Sequence, residues 1–242
     1  VSGVEIQQKN EASNLPGIQL EYLDRGLIAA PTSDVIFLTL RLLANEVKGY
    51  SETGLTGVNF NVYRDGKLIS TVEDSTNFVD QNGTSASSYY VRSVLDRKEL
   101  DQSTSVTPWK QSYVDLQLKK PADGVTPAGE RYTYSANDMS VGDVDGDGKY
   151  EYFVKWEPSN SKDVSQKGYT GNTFIDCYKF DGTLLYRIDL GVNIRSGAHY
   201  TQFLVYDFDG DGKSEIMLKT APRTNIIKFD KDRTITSEKI IT

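Results

Sequence analysis

Two short segments carry carboxylates at a spacing that suits a hard cation. In DVDGDGKYE, Asp143, Asp145, Asp147 and Glu151 take the first, third, fifth and ninth places of a loop. In DFDGDGKSE, Asp207, Asp209, Asp211 and Glu215 take the same places. Calcium binds roughly six to eight oxygens, and carboxylates that alternate along a tight turn can converge on it. Gly146, Gly148, Gly210 and Gly212 permit the positive φ of such a turn. The main-chain carbonyls of Lys149 and Lys213 complete the expected ligand set. An EF-hand needs a further carboxylate at the twelfth place, where Val154 and Leu218 stand, so that motif is excluded. Clustered carboxylates repel one another unless a cation neutralises them. The spacing therefore predicts two structural Ca2+ loops.

A second set of residues suits sugar chemistry. EPSNSKDVSQKGYTGNT (157–173) and GVNIRSGAHY (191–200) are rich in amides, cations and aromatic hydroxyls. Asn160, Lys162, Tyr169, Asn172, Arg195, His199 and Tyr200 offer donors and acceptors for hydroxyls and carboxylates. Lys155, Arg195 and His199 add cationic or titratable side chains to the same set. Each has a plainer reading. Lys155 and Lys219 can simply solvate strand ends, His199 can be structural, and Arg195 can pair with a nearby carboxylate. The stretch from Asn160 to Asp163 can be an ordinary turn.

These segments sit in an all-β pattern. Helix signals are almost absent, and short alternating runs are separated by Gly, Asp and Asn. SVGDVDGDGKYEYFVKW at 140–156 recurs as LVYDFDGDGKSEIMLKT at 204–220. IDCYKFDGTLLYRIDL at 175–190 recurs more weakly as NIIKFDKDRTITSEKI at 225–240. Each repeat then holds four strands. The first repeat has strand A ending near Asp143, B at 150–156, C at 174–180 and D at 184–190. The second has A at 200–206, B at 214–220, C at 225–229 and D at 234–241. Tandem four-stranded antiparallel units are the pattern of β-propeller blades. In such a blade the A–B and C–D turns share one end, and the B–C and D–A connections share the other. The cation loops should therefore lie a strand length, about 20 Å, from the sugar-like segments.

Residues 1–115 read as a separate unit. Val58, Phe60 and Val62 alternate with Asn59, Asn61 and Tyr63, and Asp65-Gly66 makes a tight turn into the next strand. The run resembles a fibronectin type III-like β-sandwich. Residues 116–136, with Pro121, Gly124, Pro127 and Gly129, read as a linker or surface loop, and 137–242 hold the two blades.

The bulk properties narrow the function. A formal net charge of −7 argues against nucleic-acid binding. No apolar run approaches the ~18 residues of a membrane span. A single cysteine, Cys177, rules out an intrachain disulfide, and a single histidine leaves little for a multi-histidine zinc site. The chain opens at Val1 on polar sequence, as expected where a secretory signal has been removed or never existed.

The string from DGDGKYEYFVKWEPSNSKD through GYTGN and RSGAHYTQF to DGDGKSEIMLKT resembles the rhamnogalacturonan lyases of polysaccharide lyase family 11. LEYLDRGLIAA, RLLANE and FNVYRDG are similar to the start of that family, so the resemblance covers nearly the whole chain. It implies a calcium-rich, eight-bladed propeller with a β-sandwich module. It also implies a secreted, periplasmic or cell-surface enzyme and an acidic plant cell-wall polysaccharide, rhamnogalacturonan, as substrate. The reaction implied is β-elimination at the rhamnose–galacturonate backbone of pectin, which calls for a base at the proton α to the uronate carboxylate, with Lys155, His199 and Arg195 as the candidates. With only two repeats, the chain is expected to be the N-terminal part of such a lyase, inactive alone and able to self-associate through an open blade edge. A non-catalytic, calcium-dependent carbohydrate-binding or adhesion module is the alternative. A stand-alone structural β-protein is a third reading.

Overall fold

The structure is a computed structural model that describes residues 23–52, 54–197 and 199–242. Expectations for residues 1–22, including the start of LEYLDRG, lie outside the described residues. There are two units, one ending at Asp115 and one running from Leu116 to Thr242. Apart from one short 3-10 turn (Ala44–Glu46), the regular elements among the described residues are strands.

The first unit holds β1 (Ile28–Thr32), β2 (Val35–Thr39), β3 (Gly49–Ser51), β4 (Gly54–Thr56), β5 (Asn59–Arg64), β6 (Lys67–Val72), β7 (Asn77–Asp80), β8 (Tyr89–Leu95) and β9 (Lys98–Gln102). They form a three-stranded sheet β1-β2-β7, a four-stranded sheet β6-β5-β8-β9 and the hairpin β3-β4. The expected alternation in β5 holds, with Phe60 and Val62 buried and Asn59, Asn61 and Tyr63 half-buried on the other face. Asp65 and Gly66 both have positive φ (50° and 77°), as a hairpin turn of the primed type requires. Ala29, Ile36 and Leu38 from one sheet share a core with Phe60, Val62, Tyr89 and Val91 from the other. Burying each large side chain there contributes about 1.5–3 kcal/mol. Asp80 is buried beside this core, and Arg64 and the Tyr89 hydroxyl donate to its carboxylate at 2.7 and 2.8 Å.

The second unit holds β10 (Gly124–Val125), β11 (Arg131–Tyr132), β12 (Tyr134–Gly142), β13 (Glu151–Pro158), β14 (Phe174–Tyr178), β15 (Leu184–Asp189), β16 (Phe203–Tyr206), β17 (Glu215–Leu218), β18 (Asn225–Phe229) and β19 (Ile235–Ile240). The first repeat forms an antiparallel meander, β12-β13-β14-β15, in the expected order.

The second repeat departs from its expected form. Its four strands do not make a sheet of their own. β18 pairs with β15, so β12-β13-β14-β15-β18-β19 is one six-stranded sheet, while β16-β17 stands apart as a hairpin beside β12. The physical reason is edge satisfaction. β15 would otherwise present a row of unpaired N–H and C=O groups, and β18 covers them. A tight approach fixes this register. Thr224 donates from its hydroxyl to Leu190 O at 3.1 Å, and a Cβ at Gly191 (φ 75°) would meet Arg223 O at 2.7 Å.

Residues 116–136, read above as a linker or surface loop, fall within the second unit, hold the β10–β11 pair and are hydrogen-bonded to its main sheet. Lys119 N donates to Tyr178 OH at 2.9 Å, and Arg187 donates to Lys119 O at 2.5 Å. Beneath them Asp176 is fully buried and accepts from Arg187, Trp156 and Tyr178.

Candidate functional site

The β12–β13 and β16–β17 loops adopt the same hydrogen-bond pattern. Asp143 accepts from Gly146 N (2.7 Å), Asp147 N (3.1 Å) and Gly148 N (2.8 Å). Asp207 accepts from Gly210 N (2.7 Å), Asp211 N (3.1 Å) and Gly212 N (2.9 Å). The last carboxylate of each loop reaches back, with Glu151 accepting from Val144 N and Glu215 from Phe208 N, both at 2.9 Å. Glycines at φ 77–91° let the chain turn tightly enough to aim these N–H groups inward.

Carboxylate oxygens of Asp143, Asp145 and Glu151 lie within 4.8 Å of one another, as do those of Asp207, Asp209 and Glu215. The fifth-place residues, Asp147 and Asp211, are not in these convergent sets. They accept instead from Lys149 N and Lys213 N at 2.9 Å. Burial pushes the Asp143 and Glu151 carboxyls above their ordinary range. The Lys179 ammonium, 2.5 Å from Asp145 Oδ2, holds Asp145 below it. An all-oxygen donor set of converging, mutually repelling carboxylates, with Asp143, Glu151 and Asp207 buried, fits a hard divalent cation, and Asp143, Asp145, Glu151, Asp207, Asp209 and Glu215 are the residues that would hold it. Bound there, such an ion supplies charge neutralisation to the turns.

Lys179 closes the β14–β15 turn, so its contact with Asp145 puts that turn and the first cation loop at one end of the sheet. The opposite end gathers the sugar-like segments. Ser161 and Ser196 hydroxyls lie 2.9 Å apart, Ser196 N donates to Thr170 Oγ1 at 3.0 Å, and Tyr200 OH donates to Lys162 O at 2.8 Å. Arg195 donates to Gln166 O. Tyr169 and His199 are exposed there. Lys162 pairs with Glu130 at 3.2 Å, and Asn172 donates to Asp189 at 2.9 Å.

Two of these residues are buried. Asn160 is buried and accepts from Gly171 N at 2.9 Å, so it braces the loop. Lys155 is 1% exposed, not a solvated strand end, and its ammonium sits 3.0 Å from Asp138 Oδ2. The partner became visible only in the fold. A register shift in β12 between Ala136 and Met139 places Asn137 and Asp138 beside β13. Asn137 there donates to Glu157 at 2.8 Å. A β-bulge that re-aims side chains is a common device near functional sites. The sequence clue was the polar run Asn137-Asp138 within an otherwise strand-like segment.

Comparison with known proteins defines the class. Residues 113–229 match the model of the rhamnogalacturonan lyase family 11 C-terminal domain, and residues 18–109 match that of the rhamnogalacturonan I lyase beta-sheet domain. The chain is a homologue of the family 11 rhamnogalacturonan lyases. It is 56% identical over 207 residues to the rhamnogalacturonan endolyase YesW of Bacillus subtilis, covering 85% of this chain and 32% of that protein. It is 53% identical over 208 residues to the exolyase YesX of the same organism, covering 85% and 33%. Among solved structures, it matches that of the exotype lyase YesX with a TM-score of 0.76 at 50% identity, covering 91% of this chain and 35% of the other. It matches the Bacillus licheniformis rhamnogalacturonan lyase PL11 with the same TM-score at 46% identity, covering 93% and 42%. The chain thus spans about a third of the length of the curated relatives it matches.

Proposed function

We propose that this chain is the N-terminal part of a secreted or cell-surface lyase that breaks the rhamnose–galacturonate backbone of pectic rhamnogalacturonan by β-elimination. The observation that carries the reading is its 56% and 53% identity to an endolyase and an exolyase of that polymer. The two values do not separate endo from exo attack, so the proposal concerns the bond cleaved.

In the reaction a base removes the proton α to the uronate carboxylate, and the 4-linked sugar departs. The developing charge on the carboxylate needs a preorganised cationic or hydrogen-bonding partner. We assign this work to the end of the sheet away from the cation loops. Arg195 and His199 stand there, and Lys155 lies buried on β13 two positions before Glu157, the acceptor of the Asn137 amide. Lys155, held as an ion pair with Asp138, suits charge stabilisation better than proton abstraction. The first repeat is read as one propeller blade, and the first unit as a fibronectin type III-like sandwich. The bound ion at the DxDGDG loops is assigned as Ca2+ in a structural role. All six residues of the outermost strand β19 are exposed, and self-association is expected through that edge.

The test is a rhamnogalacturonan digest followed by the ultraviolet absorbance of the unsaturated uronate product. A longer protein that includes this chain should form product, and the 242-residue chain alone should not. Binding without cleavage by the longer protein would favour the carbohydrate-binding module instead. Steady cleavage by the 242-residue chain would show that the reaction needs nothing beyond it.

A further inference from the structure

The two cation loops are far apart in sequence, yet they touch. Ser214 N donates to the main-chain carbonyl of Asp143 at 2.7 Å. Asp143 opens the first loop and supplies one of its carboxylates. Ser214 immediately precedes Glu215, which supplies a carboxylate to the second. One hydrogen bond therefore joins backbone next to a ligand of one loop with backbone next to a ligand of the other.

The packing around that bond leaves little slack. A Cβ at Gly142 would meet Ser214 Oγ at 2.5 Å and Val205 Cγ1 at 2.6 Å, so only glycine lets the β16–β17 hairpin come this close. On the other side the Lys213 side chain lies over Gly146, its Cε 3.0 Å from where a Cβ would sit. Asp143, Gly142 and Ser214 are all buried.

We infer that the two loops bind cations as one coupled unit, with the first ion raising the affinity for the second. The inference rests on the cation reading of the loops given above. An ion that draws Asp143, Asp145 and Glu151 together fixes the Asp143 peptide. The Asp143 carbonyl then holds Ser214 in place, and part of the ordering cost of the second loop has already been met. Charge acts the other way, because neutralising one loop weakens the field at its neighbour. Salt screens part of that opposition at the exposed carboxylates, whereas it does not weaken a buried backbone contact.

The test is calorimetric titration of the 242-residue chain with calcium in physiological salt. Asp145→Asn and Asp209→Asn each disable one loop at an exposed position. If the loops are coupled, the intact chain binds its second ion about five-fold or more tightly than the single-loop variants predict by addition. Ser214→Pro removes the donor, and its isotherm should return to the additive form. An intact-chain isotherm equal to the sum of the two variants would overturn the coupling and leave the cation sites standing. No binding heat in the intact chain would overturn the cation reading itself.

Discussion

Asp176 and Arg187 face each other across the β14–β15 pairing, with Arg187 Nε 2.6 Å from Asp176 Oδ1 and Nη2 2.7 Å from Oδ2. The carboxylate also accepts from Trp156 Nε1 and Tyr178 OH at 2.8 and 2.7 Å, and it is fully buried. Through Tyr178 and Arg187 the same network holds Lys119, which ties residues 116–136 to the sheet that presents the candidate site. Asp176→Ala leaves a buried guanidinium and two donors unmatched. We expect it to cost about 3–5 kcal/mol. Asp176→Asn keeps the amide oxygen as an acceptor and should cost less. Urea midpoints of the two variants, at constant slope, check the order.

Asp80 predicts the acid limb of the first unit. Burial opposes its ionisation, but donation from Arg64, Tyr89 and the Asn82 N–H outweighs burial and holds the carboxyl below its ordinary value of 3.8. A group with a depressed folded pKa contributes stability that is fully present above the unfolded value and lost as pH falls through the folded one. Stability of this unit should therefore decline below about pH 4. Asp80→Asn should lower the plateau at neutral pH and flatten that decline. Thermal melts between pH 2 and pH 7, values that bracket the ordinary carboxylate range, read both effects. An unchanged acid slope in the variant would remove Asp80 from the account.

Calcium should raise the melting temperature, because it binds the folded loops and not the unfolded chain. At a hundred times its Kd each site adds about 2.7 kcal/mol. Asp145→Ala or Asp209→Ala should remove much of the gain. Melting curves in excess chelator and in millimolar calcium make the comparison, and coincident curves would count against both loops.

The two ends of the sheet should separate by mutation in a longer protein that includes this chain. Arg195→Ala and His199→Ala should impair turnover on rhamnogalacturonan with melting nearly unchanged. Asn160→Ala behaves differently, since the buried Asn160 side chain accepts from Gly171 N. Removing it should cost about 1–2 kcal/mol and shift the melt. Activity and melting measured on the same three variants decide the matter. Full activity in both Arg195→Ala and His199→Ala would move the site elsewhere.

What the sequence determined by itself was local. Aspartates at alternate places and glycines between them dictate which N–H groups can reach Asp143 and Asp207, because every partner lies within eight residues. The alternation of Phe60 and Val62 with Asn59 and Asn61 likewise sets which face of β5 is buried, since strand geometry has a period of two. Asp65-Gly66 specified its own turn through positive φ. Tertiary structure decided which edges meet. Nothing in NIIKF says that β18 pairs with β15 and not with β17, because backbone hydrogen bonding is indifferent to side-chain identity and the choice rests on which edge is open and within reach. Lys155 looked like a solvated strand end, and only the bulge in β12 brought Asp138 to it. The burial of Asn160 and its bond from Gly171 N likewise come from the way the loop folds back, over eleven residues of sequence. The contact of Ser214 with Asp143 joins two repeats that the sequence shows only as copies of each other, and a repeat encodes the shape of each copy but not the distance between them.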